Sequence, residues 1–175
     1  MRIIAGIYGS RIIKAPRGFA SSPMGDRIKS AMFNSLGELK GLEVWDAFSG
    51  SGALAIESVS RGAYYALATE REPKVYKAIK ANVEKLRVQN MDVVKASCKS
   101  WSSTNPTKKF DIIFCDPPWT DLQLSTVFSL IRHLKPNGLM VLSYPGREEV
   151  PIANGVVVVD NRNYGDAALA YYRLG

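Results

Sequence analysis

The chain has 175 residues, 46% apolar and 22% charged, with a net charge of +7. That balance suits one well-cored soluble domain over residues 1–175, and no apolar run approaches the roughly 18 residues that a membrane span needs. The start, Met1 to Gly6, is too brief for a signal peptide, so a cytoplasmic monomer is expected, and with two cysteines (Cys98, Cys115) and one histidine (His133) neither a metal site nor a disulfide is expected.

The charge is uneven. Residues 1–40 hold Arg2, Arg11, Lys14, Arg17, Arg27, Lys29 and Lys40 against Asp26 and Glu38, which leaves the remainder of the chain nearly neutral. Phosphate contacts dominate non-specific nucleic-acid binding, so this segment reads as an RNA-contacting extension before a core over 41–175. All of its basic residues except Lys40 are candidate contacts.

In chain order, Arg2 to Gly6 and Arg11 to Lys14 flank a turn at Gly9 and predict a basic-tipped β-hairpin. Arg17 to Ser22 reads as a loop. Asp26 then precedes a helix through Leu36 that Gly37 stops. Glu43 to Phe48 predicts a first buried strand, followed by Ser49-Gly50-Ser51-Gly52 and a helix from Ala53 to Arg61. A second strand, Tyr64 to Thr69, ends at Glu70. Lys74 to Arg87 places Val75, Ile79, Val83 and Leu86 on one face of an amphipathic helix whose lysines form a solvated face. A short strand near Asp92 to Ala96 follows, then the run Phe110 to Cys115, a helix from Leu122 to Leu134, and a strand at Leu139 to Ser143 after the Pro136-Asn137-Gly138 turn. Gly155 to Asp160 and Ala167 to Arg173 are separated by too few residues for a crossover helix, so they form an antiparallel hairpin at the sheet edge. Strand and helix alternate before that point. The fold class is α/β, with a mostly parallel seven-stranded sheet covered on both faces.

Two stretches carry chemistry. Gly50-Ser51-Gly52-Ala53-Leu54-Ala55 fits G-x-G-x-x-G/A between a strand and a helix, and Glu70 follows 20 residues after Gly50, as in dinucleotide sites where the acid accepts bonds from a ribose. Asp46, four residues before Gly50, would repel a pyrophosphate at that loop but favour the ammonium and sulfonium of S-adenosylmethionine. The inferred ligand is a methyl donor rather than a hydride carrier. The second stretch is Asp116-Pro117-Pro118-Trp119, which ends the fourth strand. Its prolines donate no N–H and fix their own φ angles, so the turn offers only acceptors beside the Trp119 indole. Such a corner suits an NH2 on a planar group. A guanine, an adenine and a glutamine amide all present one. A nicotinamide-dependent oxidoreductase is the rival reading from another class.

Together, Asp46-x-Phe48-x-Gly50-Ser51-Gly52-x-Leu54, Glu70 and Asp116-Pro117-Pro118-Trp119 resemble the class I S-adenosylmethionine-dependent methyltransferases that modify exocyclic amines, which have a Rossmann-like fold. Arg2-Ile3-Ile4-Ala5-Gly6, the segment from Pro23 through Asp26-Arg27-Ile28-Lys29 to Leu36, and Tyr164-Gly165-Asp166 resemble the RsmD branch, nearly end to end. The resemblance implies methylation of guanine N2 in 16S ribosomal RNA of the small subunit. By the same resemblance, Asp46, Gly50 and Gly52 hold the methionine part of the cofactor and Glu70 its ribose, Arg71 flanks the adenine with Ser97 and Cys98 at its edge, and Phe48, Ser51 and Asp116 also contact the cofactor. Asp116 through Trp119 then grip the amine. Ser97 stands where relatives of that branch have Asp or Asn, and Trp119 where Tyr or Phe is more frequent.

Overall fold

The computed structural model describes residues 1–15 and 24–175. The loop expected over Arg17 to Ser22 therefore lies outside the described residues. Seven strands form one sheet: β1 (Glu43–Asp46), β2 (Tyr65–Thr69), β3 (Met91–Val94), β4 (Phe110–Cys115), β5 (Leu134–Pro145), β6 (Val156–Asn163) and β7 (Ala167–Leu174). Their order is β3-β2-β1-β4-β5-β7-β6. The first five run parallel, while β7 pairs antiparallel with both β5 and β6, which gives the expected C-terminal hairpin at the edge.

Side chains alternate along a strand, so each buried strand feeds both faces. On one face Trp45, Ile113, Met140 and Tyr172 pack with Trp101 of α4 (Cys98–Thr104) and Val127 of α5 (Leu124–Ser129). On the other, Val44, Phe114 and Val141 meet Met32 and Phe33 of α1 (Asp26–Leu36) and Leu54 of α2 (Ala53–Ser60). The amphipathic helix α3 (Pro73–Leu86) buries Val75 and Ile79 as its spacing demands. The order reverses at β1, with β2 on one side and β4 on the other, so the crevice between β1 and β4 opens at the strands' carboxyl ends.

The structure departs from the sequence reading at four places, the first being a helix that the reading did not include. Helix α4 has weak local signals in its serine-rich sequence; Ser97 caps it by accepting the Ser100 amide at 3.1 Å, and Trp101 anchors it to the core. The helix expected over Leu122–Leu134 begins only after Gln123, whose φ is +48°, and from Leu130 tightens into a 3-10 turn. Strand β5 begins at Leu134 and carries Pro136-Asn137-Gly138 within it, because a register shift against β4 absorbs the extra residues.

The fourth departure concerns the amino terminus. Its hairpin contains a single bridge, Arg2 to Ile12, in place of a ladder. The intervening amides are taken by helix α2 instead: Ile4 and Ala5 donate to the two Glu57 oxygens at 2.7 and 3.0 Å, Ile7 to the Ser60 carbonyl at 2.9 Å, and Tyr8 to the Ser60 hydroxyl at 2.9 Å. Gly6, rather than Gly9, is the glycine this path requires. Its φ is +80°, and a Cβ there would lie 1.7 Å from the Ser60 carbonyl oxygen.

Glu57 has no exposed surface and also accepts from Arg61 at 2.8 Å, with the Lys29 ammonium 3.9 Å away. Glu57→Ala would leave two half-buried amides and the Arg61 guanidinium without their acceptor and take a carboxylate from beside the buried Lys29 ammonium. It is expected to lower stability by about 3–5 kcal/mol in urea unfolding, with faster hydrogen exchange at Ile4 and Ala5. A loss of under about 1 kcal/mol would mean that the carboxylate is not the anchor of this segment.

Candidate active site

The carboxyl ends of β1, β2 and β4 bring three carboxylates to one edge. Asp46 ends β1 and lies in register with Phe114 of β4, two residues before Asp116. It has no exposed surface; Oδ2 accepts the Ala55 amide of α2 at 3.3 Å, and Oδ1 has no hydrogen-bond partner among the described residues. Burial, then the neighbouring Asp116, raises its pKa to about 8, against the pull of the Ala55 amide. Asp116 rises to about 6 through burial, opposed by the Ser143 hydroxyl. Glu70, half-buried at the end of β2, accepts from the Gly50 amide at 3.1 Å through one oxygen and from the Glu72 amide at 2.8 Å through the other.

The glycine loop is built for close approach. Gly50 and Gly52 have φ of +52° and +77°, and a Cβ on Gly52 would meet Ile79 of α3 at 2.7 Å, whereas nothing lies within 4 Å of one on Gly50. Gly52 is thus fixed by packing as well as conformation, and Gly50 leaves open space in front of the loop.

That space is part of a cavity of about 650 Å³. Of the residues expected at the cofactor, Phe48, Gly50, Ser51, Glu70, Arg71, Ser97, Cys98 and Asp116 line it, together with Pro118. Asp46, Gly52, Pro117 and Trp119 do not. Arg71 is exposed. Cys98 is buried, and burial pushes its thiol up to about 11, so it is an inert wall. Trp119 is 43% exposed, and its indole N–H donates to Ser143 of β5 at 3.3 Å.

Several further residues join the wall without any signal in the sequence. Met1, Ala15, Met24 and Lys29 reach it from the amino-terminal region, Lys99 from the first turn of α4, and Gln123 and Thr126 from the start of α5. No local motif marks them, because tertiary packing alone brings them there. Lys29 is a correction: its place in the basic segment makes it a candidate RNA contact, but it is 1% exposed and its ammonium donates to the Arg2 carbonyl at 2.6 Å. Arg2, Arg11, Lys14 and Arg27 are exposed, and Arg17 lies outside the described residues. Among the described residues no group of three or more His, Cys, Asp or Glu side chains could hold a metal ion, and no helix is long and apolar enough to cross a membrane.

A family model described as conserved hypothetical protein 95 matches residues 1–173. The chain belongs to this family. Ribosomal RNA small subunit methyltransferase D of Buchnera aphidicola subsp. Baizongia pistaciae is 35% identical over 147 residues, covering 81% of this chain and 74% of that protein. YlbH of Bacillus subtilis strain 168, which carries the name of an rRNA methyltransferase, is 29% identical over 181 residues, 99% of this chain and 98% of its own. The solved structure of Escherichia coli yhhF has a TM-score of 0.85 at 26% identity, covering 99% of this chain and 97% of that chain. The resemblance to the RsmD branch of class I methyltransferases therefore holds over nearly the full length, and the fold is the Rossmann-like one it implies.

The buried carboxylate has a thermodynamic signature. Between the ordinary Asp value of 3.8 and about 8, folded Asp46 keeps a proton that the unfolded chain releases, so stability falls as pH rises through that window and levels off above it. Asp116 contributes in the same direction only up to about 6. His133, whose pKa burial lowers, acts in the opposite direction but only below its ordinary value of 6.5. From about pH 6.5 to 8 the slope belongs to Asp46, with a limit of about 1.4 kcal/mol per pH unit. Asp46→Asn is expected to flatten urea-unfolding stability across this range and to exceed the parent at pH 8. An unchanged slope would remove Asp46 as its source.

Proposed function

We propose that this protein transfers a methyl group from S-adenosylmethionine to the exocyclic N2 amine of a guanine in ribosomal RNA of the small subunit. The observation that carries the reading is the common edge shared by Asp46 and Asp116: adjacent parallel strands bring both to one side of the sheet, beside one cavity. The substrate class is that of the curated relatives, two of which are named for ribosomal RNA. The acids on the cavity wall, Glu70 and Asp116, disfavour a pyrophosphate, which argues against a nicotinamide dinucleotide.

The residues fit the cofactor. Asp46 has one buried oxygen in need of a donor, and the open space in front of Gly50 admits a ligand against the loop backbone. Asp46 would serve the methionine ammonium, with Phe48, Gly50, Ser51 and Gly52 shaping that end. Glu70 has lone pairs left for ribose hydroxyls, and Arg71, Ser97 and Cys98 stand where the adenine would lie. When bound, S-adenosylmethionine supplies a methyl group that its sulfonium makes electrophilic.

The chain's own contribution is to hold the amine. The lone pair of the guanine 2-amino group is delocalised into the ring, which makes it a poor nucleophile. Acceptors on both N–H bonds favour a pyramidal nitrogen with its lone pair free, and Asp116 with the Pro117 carbonyl supplies two in a turn that its prolines stiffen. With a pKa near 6, Asp116 is ionised at neutral pH and can take the proton released after attack. The exposed Trp119 ring offers a stacking surface to a displaced base, worth about 1–3 kcal/mol. Displacement is required because the paired RNA groove hides the target atom. Arg2, Arg11, Lys14, Arg17 and Arg27 complete the reading as contacts to the RNA backbone.

Two measurements test this. Asp116→Ala should lower methyl transfer to small-subunit RNA by roughly 10²–10⁴-fold while S-adenosylmethionine binding, read by calorimetry, changes only severalfold; turnover near that of the parent would refute the assigned role. Replacing Arg11, Lys14 and Arg17 together with glutamine should weaken RNA binding and flatten its dependence on log salt by roughly 0.7–0.9 for each phosphate that the protein no longer neutralises. A salt slope equal to the parent's would place the RNA elsewhere.

A further inference from the structure

The cavity is electrostatically asymmetric. Glu70 and Asp116 make the end at β1, β2 and β4 acidic, with Asp46 buried behind the wall. Lys29 of α1 comes to the wall elsewhere, beside Met1 and Met24. This end adjoins the glycine loop, since the Ser51 hydroxyl donates to the Met1 sulfur at 3.1 Å.

Lys29 is the unusual group here. Its side chain is 1% exposed, and among the described residues its ammonium makes one hydrogen bond, to the Arg2 carbonyl. The nearest carboxylate oxygens, on Asp26 and Glu57, stand at 3.7 and 3.9 Å, too far for hydrogen bonds of ordinary strength. Both carboxylates are also engaged elsewhere. Glu57 accepts from Ile4, Ala5 and Arg61, and Asp26 is half-exposed and faces Arg2 at 3.8 Å. Three cations, Lys29, Arg61 and Arg2, thus share two carboxylates. Arg2 is exposed to solvent, but the buried Lys29 ammonium has two of its three N–H donors unassigned among the described residues. A buried charge in that state calls for an anion.

The remaining cations on the wall stand apart from it. Arg71 and Lys99 are exposed and follow β2 and Ser97, at the end assigned above to the adenosine. S-adenosylmethionine carries one anionic group, the carboxylate of its methionine part, on the same carbon as the ammonium given to Asp46. We propose that Lys29 binds this α-carboxylate, so that the methionine end is held as a zwitterion between an acid of the sheet and a lysine of α1. The inference rests on the cofactor reading above. It also makes α1, which belongs to the basic extension in sequence, part of the cofactor site. Burial lowers the Lys29 pKa while Glu57 and Asp26 raise it, so an added carboxylate would favour the charged form.

The test compares two ligands that differ only in the carboxylate: S-adenosylhomocysteine and its decarboxylated form, S-adenosyl-3-thiopropylamine. In calorimetric titration the parent protein should prefer S-adenosylhomocysteine by roughly tenfold or more, the range of a hydrogen bond between charged groups. Lys29→Met should bind S-adenosylhomocysteine as weakly as the analogue, with affinity for the analogue unchanged, and Lys29→Arg should keep the preference. A preference that survives in Lys29→Met, or an equal loss for both ligands, overturns the assignment. Equal binding of the two ligands by the parent also overturns it while leaving the cofactor reading intact; binding of neither refutes the cofactor reading. If Lys29→Met does not fold, a crystal structure of the parent with S-adenosylhomocysteine decides: a carboxylate within hydrogen-bond distance of Lys29 Nζ supports the proposal, and one held by other groups overturns it.

Discussion

A carboxylate shut away from water with one oxygen unpartnered is an expensive group to keep, and Asp46 is in that state at the centre of the sheet edge. Its position follows from topology. The strand order reverses at β1, so the loops after β1 and β4 diverge and leave a crevice. The same geometry brings Asp116 and Glu70 near Asp46, and like charges raise its pKa beyond what burial alone does. Hydrophobic packing on both faces carries this cost. A cation brought by a ligand is the kind of partner that the free oxygen lacks within the described residues.

The amino-terminal segment is joined to this edge through a single helix. Helix α2 begins at the glycine loop and carries Glu57 and Ser60, whose acceptors hold four amides of residues 4–8. Helix α3 adds Asn82, which is buried and exchanges two 2.9 Å hydrogen bonds with the Lys14 backbone. Side chains that satisfy backbone groups in this way fix the path of a segment that has almost no strand pairing of its own. The exposed Arg11 and Lys14 are therefore carried on a frame shared with the cofactor loop.

Much of the fold is legible in the sequence because period and punctuation agree there. The runs at β1, β2 and β4 are apolar and bounded by charge, proline or glycine, and α3 shows its core face through Val75 and Ile79. The C-terminal hairpin follows from a connection too short for a helix. Where local and tertiary signals diverge, legibility ends. Helix α4 is held by one cap and one tryptophan rather than by propensity. The first hairpin looks like strands because Ile3, Ile4, Ile12 and Ile13 are β-branched, yet Glu57 takes the amides that a ladder would use. Asp46, Gly50, Glu70 and Asp116 stand on local patterns and could be nominated from them. Lys29 could not. It lies in the basic segment two residues after the exposed Arg27, and only the packing of α1 against α2 turns it inward.

The Asp116 corner shows why rigidity matters more here than added functional groups. Two prolines fix its backbone, but they do not fix the Trp119 ring, which has freedom about its own side-chain bonds. Ser143 removes part of that freedom from the adjacent strand β5: its hydroxyl accepts from the indole and also lies against Asp116. One serine on a paired strand thus ties the Trp119 ring to the Asp116 carboxylate. A methyl group already activated by its carrier needs little further chemistry from the protein. What it needs is a nucleophile held at the right angle and distance, and such positioning can supply roughly 7–11 kcal/mol in favourable cases. A flexible loop bearing the same residues would give up much of that contribution, which is why this corner is built from proline, a paired strand and a short polar side chain.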